Sequence, residues 1–160
     1  MGVFDFQKIA DNRADVYFGE WQAKENGTIN PNTRSVFYVG KDKTTNMPTS
    51  GSATYTVNGI NNYTVNGPMT GTFTANFGSG TNTLAGTISN SALTVDVNAA
   101  IAPSTASFAG TATANPTGGT AVSGTSQGHF FGNAAAQLAG IAKFGEANRN
   151  LDTAFGGKKQ

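Results

Sequence analysis

Met69-Thr70-Gly71-Thr72-Phe73-Thr74-Ala75-Asn76-Phe77 alternates an apolar or small residue with a polar one along its whole length. Successive side chains of a β-strand point to opposite faces, so Met69, Gly71, Phe73, Ala75 and Phe77 share one face and Thr70, Thr72, Thr74 and Asn76 the other. That is the pattern of a half-buried strand. It returns in Ala53-Thr54-Tyr55-Thr56-Val57, Leu84-Ala85-Gly86-Thr87-Ile88, Leu93-Thr94-Val95-Asp96-Val97 and Phe108-Ala109-Gly110-Thr111-Ala112. Thr suits the outer positions, because its β-branch fits the pleat and its hydroxyl faces water.

Short alternating runs from Val16 to Ala114 predict an all-β fold, a soluble antiparallel barrel filled by apolar side chains. A membrane-spanning barrel would turn its oily face outward and carry aromatic girdles. Runs as short as these fall below the roughly 9–11 residues per strand that the hydrocarbon layer demands. Turn signals separate the runs: Asn26-Gly27, Gly78-Ser79-Gly80 and Asn90-Ser91, with Asn58-Gly59 and Asn66-Gly67 bracketing a possible short hairpin. Gly71, Gly86, Gly110 and Gly124 recur on apolar faces, where glycine lets a small barrel bend or taper, or marks a local bulge.

The 160 residues are enough for one domain with a sizeable core. A formal net charge of +1 gives no electrostatic case for nucleic acid or an anionic membrane surface. Cysteine is absent, which excludes disulfides, thiolate metal sites, cysteine nucleophiles and a lipid-anchored Cys. No apolar run is long enough for a membrane-spanning helix, and no signal-peptide core is present. Residues 1–14 mix Phe4, Phe6 and Ile9 with Asp5, Lys8, Asp11 and Arg13. They read as an N-terminal tail, an added segment or a single helical turn, and residues 15–160 as the barrel.

The end of the chain carries a second kind of signal. Gly128-His129-Phe130-Phe131-Gly132-Asn133-Ala134-Ala135-Ala136-Gln137-Leu138-Ala139-Gly140 places paired aromatics before a glycine and a short Ala-rich turn, and Ala154-Phe155-Gly156-Gly157-Lys158-Lys159-Gln160 follows. The turn from Asn133 to Gln137 reads as helical, capped by Asn133 and stopped by Gly140. Ile141–Phe144 and Thr153–Phe155 read as the final strands. This ending resembles the closing signature of the transferrin-binding protein B-like barrels, roughly Gly-x-Phe-Tyr-Gly-Pro-x-Ala-x-Glu-Leu-Gly-Gly. Phe131 stands for the Tyr, Asn133 for the Pro, Gln137 for the Glu and Ala139 for the first of the final glycines. Tyr17-Phe18-Gly19-Glu20-Trp21 resembles the family's Tyr-x-Gly-x-Trp opening strand, and Phe108-Ala109-Gly110-Thr111-Ala112 its Phe-x-Gly-x-Ala strand. The resemblance implies an eight-stranded antiparallel barrel, sometimes preceded in the family by a separate handle domain that is expected to be missing here. Tyr17 and Trp21 are then expected to fill the barrel interior.

The resemblance also implies a non-catalytic binding module of a Gram-negative bacterium, on the outer face of the outer membrane or secreted, and exported through an outer-membrane translocon. Iron or haem acquisition from a host iron-carrier or haem-carrier protein is its leading function, with the barrel as docking and export-competent domain. Alternatives are a module binding a host complement regulator and a carrier of a small hydrophobic ligand, the latter opposed by the many interior Phe and Leu. His129 is the only histidine and hence the only imidazole available as an axial haem ligand, against its reading as an ordinary strand residue. Lys41-Asp42-Lys43-Thr44-Thr45-Asn46-Met47-Pro48-Thr49 is the most distinctive loop, with Lys41, Lys43 and Met47 as candidate contacts. No nucleophile elbow surrounds any serine, and Asp5, Asp11, Asp15, Glu20 and Glu25 lack calcium-loop spacing, so they read as surface charge. No metal site is expected, haem is the one cofactor considered, and the chain is expected to act as a monomer.

Overall fold

The computed structural model describes residues 1–9, 15–78 and 80–160. Four strands come first: β1 (Gly2–Lys8), β2 (Val16–Glu25), β3 (Thr28–Ile29) and β4 (Ser35–Gly40). Eight more follow: β5 (Gly51–Ile60), β6 (Met69–Phe77), β7 (Thr83–Ser89), β8 (Leu93–Ala102), β9 (Ser107–Pro116), β10 (Val122–Phe131), β11 (Gln137–Lys143) and β12 (Thr153–Lys159). These eight form a closed antiparallel barrel in which each strand pairs with its neighbour in sequence. Closure is made by β12 against β5, from Ala154 opposite Ile60 to Lys159 opposite Tyr55.

The alternation read from β6 is realised: Met69, Phe73, Ala75 and Phe77 are buried, while Thr70, Thr72, Thr74 and Asn76 are exposed. Tyr55, Phe73, Phe108, Phe130 and Phe155 meet in the barrel interior. Phe108 and Phe130 approach edge to face with centroids 5.6 Å apart, and Phe73 and Phe155 at 5.3 Å. Each such ring contributes roughly 1.5–3 kcal/mol by leaving water. The Tyr55 hydroxyl donates to the Ala135 carbonyl at 2.6 Å, so its one polar atom is satisfied. The signature glycines make room for these rings. Gly128 and Gly140 face each other across β10 and β11, and a Cβ on Gly128 would enter the Phe108 ring.

Several local expectations need correction. Asn58-Gly59 lies inside β5 rather than at a turn, and β5 joins β6 through a helical turn, α1 (Tyr63–Asn66), ended by Gly67 at φ 71°. Asn133 opens a 3-10 turn over Asn133–Ala135, but its side chain makes no cap; its Oδ1 accepts from Asn46 instead. Gly140 is mid-strand in β11 and stops nothing. Asn26-Gly27 does turn β2 into β3, both residues taking positive φ. Ser79, Asp11 and Arg13 lie outside the described residues.

The largest difference concerns the first forty residues. Gly2–Lys8 is a strand, paired along its length with β2, rather than a tail or a helical turn. The reason is its alternation: Phe4 and Phe6 share one face, and Asp5 and Gln7 the other. Tyr17–Trp21 lies in this separate four-stranded sheet and not in the barrel. The sheet lies against the barrel's outer wall, and between them a second apolar cluster holds Val16, Phe18, Ile60, Phe131, Ala139 and Ala154. The paired aromatics of β10 are thereby divided, Phe130 pointing into the barrel and Phe131 into the layer between.

Candidate functional site

Strand β2 sets two faces. Val16, Phe18, Glu20 and Gln22 are buried toward the barrel, so Tyr17, Gly19 and Trp21 face away from it. The register puts Phe4 opposite Trp21, and Phe6 and Phe37 on either side of Gly19. Tyr17 and Trp21 are therefore not interior residues, because the strand's barrel-facing positions belong to its other parity. Phe4, Phe6, Val39 and Trp21 are 56%, 55%, 57% and 41% exposed. The Phe4 and Phe37 rings stack at 5.3 Å with an interplanar angle of 6°, from strands on either side of β2. Gly19 lies between those strands with no side chain to keep the rings apart. Phe6 sits 5.5 Å from Phe4 and 6.3 Å from Tyr17. Contiguous exposed aromatics on a rigid sheet mark a binding surface.

Cations border this face. Lys8 Nζ lies 5.8 Å from the Tyr17 ring centroid and is paired with Asp15 at 2.9 Å. Lys41 acts on Asp15 from the same end. At the Trp21 end, Arg149 donates to the Ser35 hydroxyl at 3.2 Å.

The opposite face is locked to the barrel. Glu20 accepts from Arg34 Nε at 2.9 Å and from the Asn62 and Tyr63 backbone N–H groups at 2.9 and 2.8 Å. Arg34 also donates to Gln22 at 2.6 Å and to the Asn150 carbonyl. Burial lowers the Arg34 pKa from its ordinary value, with Glu20 opposing that shift. Glu20 is thus a buried partner of α1 and not the surface charge expected of it.

His129 lies at the edge of the same interlayer seam, half-buried, with Nδ1 2.7 Å from the Tyr38 hydroxyl. Burial pushes the Tyr38 phenol up, keeping it protonated and able to donate. Burial, and then the Lys43 charge, push the His129 pKa down, which favours neutral imidazole. The 41–49 loop is held against the closing signature. Thr44 N–H donates to the Phe130 carbonyl at 3.0 Å, Thr44 Oγ1 donates to Gly132 O at 2.8 Å, and Asn46 accepts from Ala134 N–H at 2.9 Å. Lys41 and Lys43 are exposed, whereas Met47 packs against the barrel core. The structure therefore gathers His129 and Lys43 with Tyr38, and separates Met47 from them. The sequence does not single out Phe37 and Val39, and Phe4 and Phe6 read there only as part of a tail or helical turn, although their alternation is the signal for an outward face. Among the described residues, no three His, Asp or Glu side chains are grouped to hold a metal ion.

Residues 45–159 match the model of the HphA C-terminal domain. The chain belongs to that family. Residues 1–34, which include β1 and β2, match the HphA N-terminal heme-binding domain. Both are families of non-catalytic binding proteins. Among solved structures, a mutant of the vaccine antigen transferrin-binding protein B from Haemophilus parasuis matches at TM-score 0.58 and 21% identity, over 98% of this chain and 37% of its own. Isotype 1 transferrin-binding protein B from serogroup B Neisseria meningitidis matches at TM-score 0.55 and 20% identity, over 100% of this chain and 36% of its own. The chain spans well under half of either protein, and the likeness is one of fold: the barrel is transferrin-binding protein B-like. No helix among the described residues is long and apolar enough to cross a membrane.

Proposed function

We propose that this chain is a haem-binding module of a Gram-negative bacterium, acting at the cell surface or after release, with the outer face of the N-terminal sheet as its haem platform. One observation carries the reading: the exposed aromatic face is built largely from the 1–34 segment that matches a heme-binding domain. The residues fit the flat apolar ring of such a group. Phe4, Phe6, Phe37 and Trp21 would offer apolar ring surface, and Lys8 and Lys41 border one end of the face, where two carboxylates carried on a single edge of the ring would meet them. They do not supply an imidazole or thiolate for the iron, since residues 1–34 contain neither His nor Cys. Bound haem would bring a redox-active iron; the chain's own part is to hold the ring and shed water from one side of it.

In this reading the barrel is a rigid base for the sheet and the export-competent part of the molecule, and haem is drawn from a host haem carrier. Titration of the purified chain with haemin tests it. Saturable quenching of Trp21 fluorescence is expected, lost in a Phe4→Ser, Phe37→Ser double variant whose melting temperature is little changed. No saturable quenching in the parent chain would overturn it.

A further inference from the structure

The aromatic platform and the only imidazole lie on opposite sides of one sheet. On β4, Phe37 and Val39 turn outward to the platform, whereas Tyr38 turns inward and holds His129 Nδ1 at 2.7 Å. The backbone of β4 therefore stands between His129 and any ring lying on Phe4 and Phe37. Proteins that bind haem through its iron use His, Cys, Met or Tyr. Within residues 1–34 those types reduce to Tyr17 and Met1. Tyr17 has its ring packed beside Phe6 and beneath Lys8 Nζ, so its hydroxyl is the group that the Tyr17→Phe variant must test. What the face offers in quantity is aromatic surface: the mutually stacked rings of Phe4 and Phe37, from the strands flanking β2, with Phe6 and the indole of Trp21 beside them.

Resting on the reading of this face as a tetrapyrrole platform, we infer that it holds the macrocycle through ring stacking and carboxylate–cation contacts, without a protein–iron bond. Its ligand class is then the planar dicarboxylate porphyrin, with or without metal. Stacking on aromatic faces responds to the π-surface and its hydrophobic area, and these are nearly the same in the metal-free and iron forms. The cations at the Tyr17 end, Lys8 and Lys41, read only the carboxylates, which leave from one edge of the ring.

Trp21 is the only tryptophan and sits on the platform, so its fluorescence reports occupancy directly. The full chain is titrated in parallel with haemin and with metal-free protoporphyrin IX. The inference expects dissociation constants within about threefold of each other, a difference of less than a kcal/mol. It also expects both to weaken together in the Phe4→Ser, Phe37→Ser variant, neither to change in His129→Ala, and the ratio of the two constants to stay near one in Tyr17→Phe. Haemin binding at least about tenfold tighter, with that preference abolished by Tyr17→Phe, Met1→Ala or His129→Ala, would establish iron ligation and overturn the inference while leaving the platform intact. Equal binding of both rings that ignores the double variant would put the site elsewhere and overturn it as well. If neither ring quenches Trp21, it is the functional reading itself that falls.

Discussion

Glu20 and Arg34 form an ion pair at 2.9 Å in which the side chains are 0% and 1% exposed. Burying two charges costs more than their attraction returns unless hydrogen bonds satisfy the rest of each group. Here they do: Glu20 accepts from two α1 backbone amides as well as from Arg34, and Arg34 reaches Gln22 and the Asn150 carbonyl. The pair ties the sheet to two connections of the barrel.

Removing one partner strands the other. Glu20→Ala should lower unfolding free energy by about 3–5 kcal/mol, the usual cost of leaving a buried charge uncompensated. The Glu20→Leu, Arg34→Met double variant should be less damaged than either single change. Urea unfolding of the three variants, read at Trp21, checks this.

His129 makes the seam sensitive to acid. Its folded-state pKa lies below the ordinary value of 6.5, so the folded form binds the proton more weakly than the unfolded form. The contribution of neutral His129 is fully present above the unfolded value and is lost as pH falls from there through the lower folded value. Of the groups facing it, Tyr38 carries no charge to offset an added proton and Lys43 opposes one. Stability should therefore fall more steeply between neutral pH and mildly acidic pH in the parent than in His129→Ala. Denaturation midpoints across that range measure the difference.

The 41–49 loop is a latch. Thr44→Val deletes the bond from Thr44 Oγ1 to Gly132 O and should cost about 1 kcal/mol. Asn46→Ala removes two further contacts to the Asn133–Ala135 turn. Limited proteolysis should cut the double variant within 41–49 and leave the parent intact there. Cleavage at equal rates would remove the latch from consideration.

The two aromatics of β10 should differ little in stability and greatly from the platform. Phe130→Ala and Phe131→Ala each open a cavity in a close-packed cluster and should cost about 3–5 kcal/mol. Phe4→Ala, on an exposed ring, should stay within about 0.5 kcal/mol of the parent. Thermal denaturation of the three separates core from platform.

The barrel was legible because one face of each strand is dry and the other wet. Thr70, Thr72 and Thr74 state that difference residue by residue. The N-terminal sheet was less legible because it blurs the usual code. Its outer face carries Phe4, Phe6 and Trp21, while its inner face buries Glu20 and Gln22 beside Val16 and Phe18, so neither face is purely dry or wet. Such a surface is bound to look like a barrel interior when burial is inferred from hydropathy alone. The role of Glu20 was out of reach for another reason: its partners are backbone amides more than forty residues away, and backbone groups leave no mark in a sequence.

Strand β12 closes the barrel against β5, and the second apolar cluster spans that same seam, with Phe18 and Val16 from β2 packed near Ile60 of β5 and Ala154 of β12. Every other barrel pairing joins strands adjacent in sequence and can form as soon as its hairpin exists, whereas Ile60 and Ala154 must find each other across most of the barrel's length. The surface on which β2 rests is complete only once that pairing has formed. The first strands of the chain thus wait on the last, and an aromatic face becomes a rigid platform only on a molecule that has finished folding.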